Sequence, residues 1–268
     1  MHADQSAGDF RGRWIAEAVR ILDYLAETQL EQISAAAEIC ADAIESGGLV
    51  HAFGTGHSRI PVEEMFPRYG SYPGFNPIVE LSMTFHTQVT GPNGQRQAMH
   101  IERVEGLADQ ILANYEFGKR DAMLIYSSGG STAVPIEMAI GARRRGLPVI
   151  AVTSLENSRA SESGHSSGTR LFDHADIVID LGIPPGDSLI QIDGPEARVG
   201  PGSTISNIAI ANEIKVQTAA RLVERGALPP VLTSAAIVGA ERSAELFDAA
   251  YREHSLRAAA VLAKPHKT

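Results

Sequence analysis

The sequence predicts an α/β protein with a doubly wound parallel sheet, helices above and below it in three layers, and further helices at both ends. Three observations carry this reading. Short apolar runs of strand length alternate with amphipathic stretches of helical spacing. The runs are continuously apolar, as buried parallel strands are. Two of them end in turns rich in Gly, Ser and Thr that lead into helices.

Taken in order, Trp14, Ile15, Ala18, Val19, Leu22 and Leu25 recur at helical spacing, and so do Leu30, Ile33, Ala37, Cys40 and Ile44. Gly47-Gly48 closes the second of these helices. A strand, Leu49 to Phe53, runs into Gly54-Thr55-Gly56-His57-Ser58, and a helix with Val62, Met65 and Phe66 follows. Residues 70 to 99 read as a short strand near Ile78–Leu81 and then an irregular excursion of the kind that forms lids. Val104, Leu107, Ala108, Ile111 and Leu112 mark another helix.

The clearest βαβ unit is Ala122 to Tyr126, the turn Ser127-Ser128-Gly129-Gly130-Ser131-Thr132, a helix from Val134 to Arg145, and a strand Pro148 to Thr153. A polar loop, Ser154 to Thr169, precedes a strand at Ala175–Asp180. A Pro/Gly-rich loop spans Gly182 to Pro201, with a short strand at Leu189–Ile192. Ser203 or Thr204 caps a long helix, and a last helical stretch covers Ala235 to Leu262. The 268 residues then form one domain: N-terminal helices over 1–48, an α/β core over 49–225 and a helical extension over 226–268.

Composition narrows the function. With 23 Lys and Arg against 32 Asp and Glu, the net charge of −9 argues against a nucleic-acid surface. One cysteine, Cys40, rules out an internal disulfide. The polar first thirteen residues resemble no secretory signal, and no apolar run reaches membrane-spanning length, so a cytoplasmic protein without membrane association is expected.

In open parallel sheets, ligands bind beyond the carboxyl ends of the strands. Two Gly/Ser/Thr turns fall at that edge, where glycine admits an anion to the backbone and a helix N-terminus offers unpaired N–H groups. The pair, with Gly54, Gly56 and Ser58 in one turn, Ser127, Ser128, Gly129 and Thr132 in the other and a third hydroxyl cluster at Ser203 and Thr204, favours an anion site. Arg59 stands where a dinucleotide fingerprint needs its third glycine, and no Gly-Lys-Ser/Thr tripeptide occurs. That argues against NAD and ATP; no cofactor is expected. Nor is a metal, since the histidines are scattered and no His-Glu-x-x-His exists.

Gly54-Thr55-Gly56-His57-Ser58 and Ser127 to Thr132, with Ala133 to Ala139 and Val149 to Ser154 after them, resemble the sugar isomerase (SIS) domain family. Within it they are similar to a stand-alone branch related to phosphoheptose isomerases and N-acetylmuramic acid 6-phosphate etherases. The resemblance implies a flavodoxin-like sheet, a homodimer or homotetramer with shared sites, and a sugar phosphate as ligand. Gly129 departs from the signature, which has a serine there.

Sugar-phosphate isomerisation needs a base between C1 and C2 and an acid for ring opening. The candidates are Glu64 on the helix after the first turn, His57 within that turn, His165 in the Gly164 to Gly168 loop, and Glu213 on the long helix. His86 and His100 bracket the excursion as further candidates, for a lid or for a neighbouring subunit's site. The expected activity is aldose–ketose isomerisation. An amino-sugar-phosphate etherase or lyase, and a non-catalytic phosphosugar-binding regulator, stand as alternatives.

Overall fold

The computed structural model describes residues 9–84, 94–194, 196 and 198–262. Five parallel strands form its centre: β1 (Val50–Gly54), β2 (Phe75–Pro77), β3 (Ala122–Tyr126), β4 (Val149–Thr153) and β5 (Ile177–Asp180), in the order β2-β1-β3-β4-β5. This is the flavodoxin-like arrangement, whose direction of winding reverses between β1 and β3.

Every residue of β1, β3 and β4 is buried, as continuous apolar runs require when both faces of a sheet are covered. Alternation sorts them into two cores. Val50, Ala52, Leu124 and Tyr126 face one layer, where α1 (Arg13–Thr28), α2 (Leu30–Glu45), α3 (Arg59–Met65) and the long helix Ser203–Glu224 supply Leu25, Ile44, Met65 and Ile214. Phe53, Met123 and Ile125 face the other, with Ile111 from a helix over Leu107–Leu112 and Val134 and Met138 from a helix over Ala133–Arg144.

Numbering these helices in chain order gives α4 (Leu81–Thr84), α5 (Gly94–Ile101), α6 (Leu107–Leu112), α7 (Ala133–Arg144), α8 (Leu155–Ala160), α9 (Ser203–Glu224), α10 (Ala235–Val238) and α11 (Ala240–Leu262). An antiparallel hairpin, β6 (Ser188–Ile190) with β7 (Val199–Pro201), precedes α9.

Three local expectations are corrected. The strand expected at Ile78–Leu81 lies at Phe75–Pro77, and Leu81 begins a helical turn. As an edge strand it tolerates Pro77. The loop from Ser154 contains α8, because the Ser154 hydroxyl accepts the Asn157 N–H and caps it. The short strand near Leu189–Ile192 runs over Ser188–Ile190. No helix among the described residues is long and apolar enough to cross a membrane.

Candidate functional site

The turns after β1 and β3 meet because their strands are neighbours: Gly54 registers against Tyr126. Together they wall a cavity of about 290 Å³.

Each turn depends on glycine at a definite place. A Cβ on Gly54 would lie 2.3 Å from the Ser58 carbonyl oxygen, so no side chain fits there. In the second turn the constrained residue is Gly130, at φ +57°, whose Cβ would stand 2.6 Å from Thr153 Oγ1. Gly129 is not so confined. Its Cβ would meet nothing nearer than Ser131 Oγ at 3.6 Å, so a serine there would fit.

The second turn is aimed by the chain beyond it. Ser154 N–H donates to the Ser128 carbonyl at 3.1 Å, Leu171 N–H to Gly130 at 2.8 Å and Gly164 N–H to Ser131 at 2.7 Å. In a trans peptide the carbonyl and the next N–H point in opposite directions. The N–H groups of Gly129, Ser131 and Thr132 are therefore turned away from that supporting segment. All three residues line the cavity. Gly130 N–H is spent on Ser127 Oγ at 3.2 Å, which leaves the Ser127 proton for another acceptor. Thr132 precedes α7 without a side-chain cap, and in the first turn the Val134 N–H donates to the Glu102 carbonyl at 3.0 Å.

Of the residues expected at the site, Gly56, His57, Ser58, Ser127, Ser128, Gly129, Thr132 and Ser203 line this cavity. Gly54 lies beneath it as the packing point for Ser58. Thr204, Glu64, Glu213 and His165 are not among its lining residues. Glu64 instead accepts Lys215 Nζ at 3.1 Å and Arg68 Nη1 at 3.0 Å. Burial raises the Glu64 carboxyl, but Lys215 and then Arg68 outweigh it and hold the group below its ordinary value. Glu213 accepts Gln217 Nε2 one turn along α9.

His165 belongs to a separate cluster, with Nε2 3.5 Å from Glu137 Oε1 and Nδ1 2.7 Å from Ser167 Oγ. Ligand atoms of Glu105, Glu137 and His165 lie within 4.8 Å of one another. The carboxylates there fasten loops: Glu137 takes the Gly106 N–H and Glu105 takes Ser166 N–H and Oγ–H. His100 is exposed on the last turn of α5, and His86 lies outside the described residues.

Two carboxylates that sequence reasoning missed do line the cavity. Glu102, just past α5, accepts Thr55 Oγ1–H at 2.6 Å. Asp187 takes the N–H of Gly202 at 3.0 Å, the N–H of Ser203 at 2.7 Å and the Ser203 hydroxyl, so it caps α9 from a distance. The signal for Asp187 was a Pro-Pro-Gly-Asp turn, since Asp is a favoured capping residue. Glu102 had no such signal.

A flavodoxin-like sheet with a hydroxyl- and amide-lined cavity at its switch point places this chain in the class of open, doubly wound α/β proteins. The SIS domain profile matches residues 13–154, more than half the sequence, and the chain belongs to that family. It is 35% identical over 222 residues to a UPF0309 protein of Halalkalibacterium halodurans, covering 83% of this chain and 89% of that one. A UPF0309 protein of Streptomyces coelicolor is 34% identical over 85% of this chain and 89% of its own length. Among solved structures, a phosphoheptose isomerase from Neisseria gonorrhoeae superimposes with a TM-score of 0.51 at 16% identity, over 78% of this chain and 96% of that one. The last likeness is one of fold.

Proposed function

We propose that this protein binds a sugar phosphate in the cavity between the two turns and interconverts its aldose and ketose forms. The observation that carries the reading is the trio of amides at Gly129, Ser131 and Thr132, directed away from the segment that holds the carbonyls of Ser128, Gly130 and Ser131. Hydrogen bonds to a charged group contribute about 1.5–3 kcal/mol each, so such a nest can hold a phosphate without lysine or arginine. The hydroxyls of Ser58, Ser127, Ser128 and Thr132 add donors. A cavity near 290 Å³ suits a monosaccharide phosphate rather than a dinucleotide, being close to the lower end of the ~300–1,000 Å³ typical of ligand sites.

The proton shuttle between C1 and C2 falls to Glu102, oriented by Thr55, and His57 assists ring opening. Relatives by fold include a phosphoheptose isomerase, which agrees with this chemistry. A homodimer or homotetramer belongs to the same proposal and is checked by light scattering. The decisive experiment is NMR of a sugar-phosphate panel incubated with the protein in D2O. Isomer formation with deuterium entering at C2 supports the reading; binding without any turnover across the panel would leave a sensor instead.

A further inference from the structure

No metal motif is written in the sequence, yet folding brings three metal-ligating side chains together from distant segments. Glu105 follows α5, Glu137 lies on α7, and His165 stands in the loop after α8. One ligand atom from each falls within 4.8 Å of the others. None of the three lines the cavity between the turns. The side chains of His165 and Glu137 are only 12% and 14% exposed, whereas Glu105 is open to solvent.

The spacing is that of ligands rather than of hydrogen-bond partners. His165 Nε2 and Glu137 Oε1 are 3.5 Å apart. A charge-assisted hydrogen bond between such groups falls at about 2.7–2.9 Å. Two ligands of one tetrahedral zinc, each about 2.0–2.1 Å from the ion, stand roughly 3.3 Å apart. The carboxylates also keep lone pairs for an ion. Glu137 receives the Gly106 N–H, shared between its two oxygens at 2.8 and 2.9 Å, and Glu105 receives the Ser166 N–H and hydroxyl. A carboxylate has about four lone-pair sites, and carboxylates that ligate metals are ordinarily hydrogen-bonded in this way.

The His165 ring is held from behind by a chain of hydroxyls. Nδ1 is 2.7 Å from Ser167 Oγ, which is 2.6 Å from Thr169 Oγ1, which is 2.7 Å from His174 Nε2. Protons can be ordered along this chain in two senses. In one, Nδ1 accepts from the Ser167 hydroxyl and N–H, and the proton on Nε2 faces Glu137 across the long 3.5 Å gap. In the other, Nδ1–H donates to Ser167 and the chain ends on His174 as acceptor. The Nε2 lone pair then faces carboxylate, an arrangement that a cation satisfies, and a donating Nδ1 is the usual second contact of a metal-bound histidine.

We propose that Glu105, Glu137 and His165 bind a divalent transition-metal ion, zinc foremost, with Ser167, Thr169 and His174 orienting the imidazole. An imidazole with two carboxylates suits zinc, whereas magnesium and calcium favour oxygen alone. Three protein ligands leave a fourth position for water on the exposed Glu105 side. The ion pins three segments to one another, among them the loop whose Gly164 N–H supports the Ser131 carbonyl. This site is independent of the sugar-phosphate reading.

The test is titration calorimetry of the intact protein, first stripped with EDTA and dialysed, with zinc chloride alone as the probe. The expected result is a single equivalent bound and a denaturant midpoint raised by the metal. His165→Ala should weaken binding by at least about a hundredfold. Glu137→Gln, whose amide oxygen still accepts the Gly106 N–H, should weaken it by about tenfold or more. Thr169→Val keeps all three ligands and cuts the chain behind His165, and a loss of about tenfold is expected there too. Cobalt in place of zinc should give visible absorption bands that His165→Ala abolishes.

Zinc affinity unchanged in His165→Ala and Glu137→Gln would overturn the proposal by placing the ion elsewhere. Should His165→Ala not fold, Glu137→Gln and Thr169→Val decide the matter by themselves. The absence of binding up to about 1 mM zinc would overturn the site outright. Displacement of zinc by an equal concentration of magnesium or calcium would overturn the assignment to a transition metal.

Discussion

Thr55 Oγ1 donates to Glu102 Oε2 at 2.6 Å across a separation of 47 residues, tying the turn after β1 to the chain leaving α5. The bond fixes the orientation of the Glu102 carboxylate at the cavity wall. Glu102→Gln keeps the shape and removes the base. Turnover of the sugar phosphate should fall at least about a hundredfold with KM little changed, the range expected when a general base is lost. Thr55→Val should lower kcat by a smaller factor by letting the carboxylate wander. Steady-state kinetics on both variants checks the pair, and equal rates in Glu102→Gln and wild type would remove Glu102 from the chemistry.

The two turns predict opposite outcomes for neighbouring kinds of substitution. Gly54→Ala puts a methyl 2.3 Å from the Ser58 carbonyl, and overpacking of this kind costs about 1–3 kcal/mol. Gly129→Ser meets only ordinary van der Waals contacts, Ser131 Oγ at 3.6 Å and Asn157 Nδ2 at 3.9 Å, and adds a hydroxyl to the second turn. Chemical denaturation should show the first destabilised and the second near wild type, with phosphate affinity held or raised in the second.

Glu64 and Lys215 make a third case. Lys215 is 6% exposed, and its Nζ also donates to the Glu64 carbonyl at 2.9 Å. Because the Glu64 carboxyl is lowered in the fold, its contribution is fully present above its ordinary value of 4.5 and disappears as pH falls through the lowered one. Lys215→Met should destabilise the protein by about 2 kcal/mol at pH 7. Glu64→Gln should flatten the loss of stability between about pH 5 and pH 3, read by denaturant midpoints. A Glu64→Gln variant with normal stability and no turnover would return Glu64 to the reaction.

Cys40 is fully buried, and burial pushes its thiol up to about 12. Only the thiolate reacts appreciably. A thiol reagent at pH 8 should therefore leave the native protein unmodified and label Cys40 stoichiometrically once denaturant unfolds it.

The sheet was legible because its central strands obey one strong rule. Ala122–Tyr126 lies within a single apolar run bounded by polar residues, and such a run buried on both faces leaves little else it can be. Edge strand β2 escaped because Phe75-Asn76-Pro77 carries neither periodicity nor length. The turns were legible for the same local reason, since glycines directly after apolar strands report on backbone geometry. Glu102 and Asp187 were not, because their importance comes from long-range partners: Thr55 for one, Gly202 and Ser203 for the other. Glu64 drew attention through its closeness in sequence to Ser58. Yet on α3 its side chain turns toward Lys215 of α9, a contact 151 residues distant.

The cavity draws on two independent sources. Its amide nest is made by the chain leaving β3, whereas Glu102 and Asp187 come from two connections outside the sheet, each held by the start of a different helix, α7 for one and α9 for the other. The two parts of the wall are thus open to separate substitution: a change at 102 or 187 disturbs the start of one helix, and a change at Gly130 disturbs the turn itself.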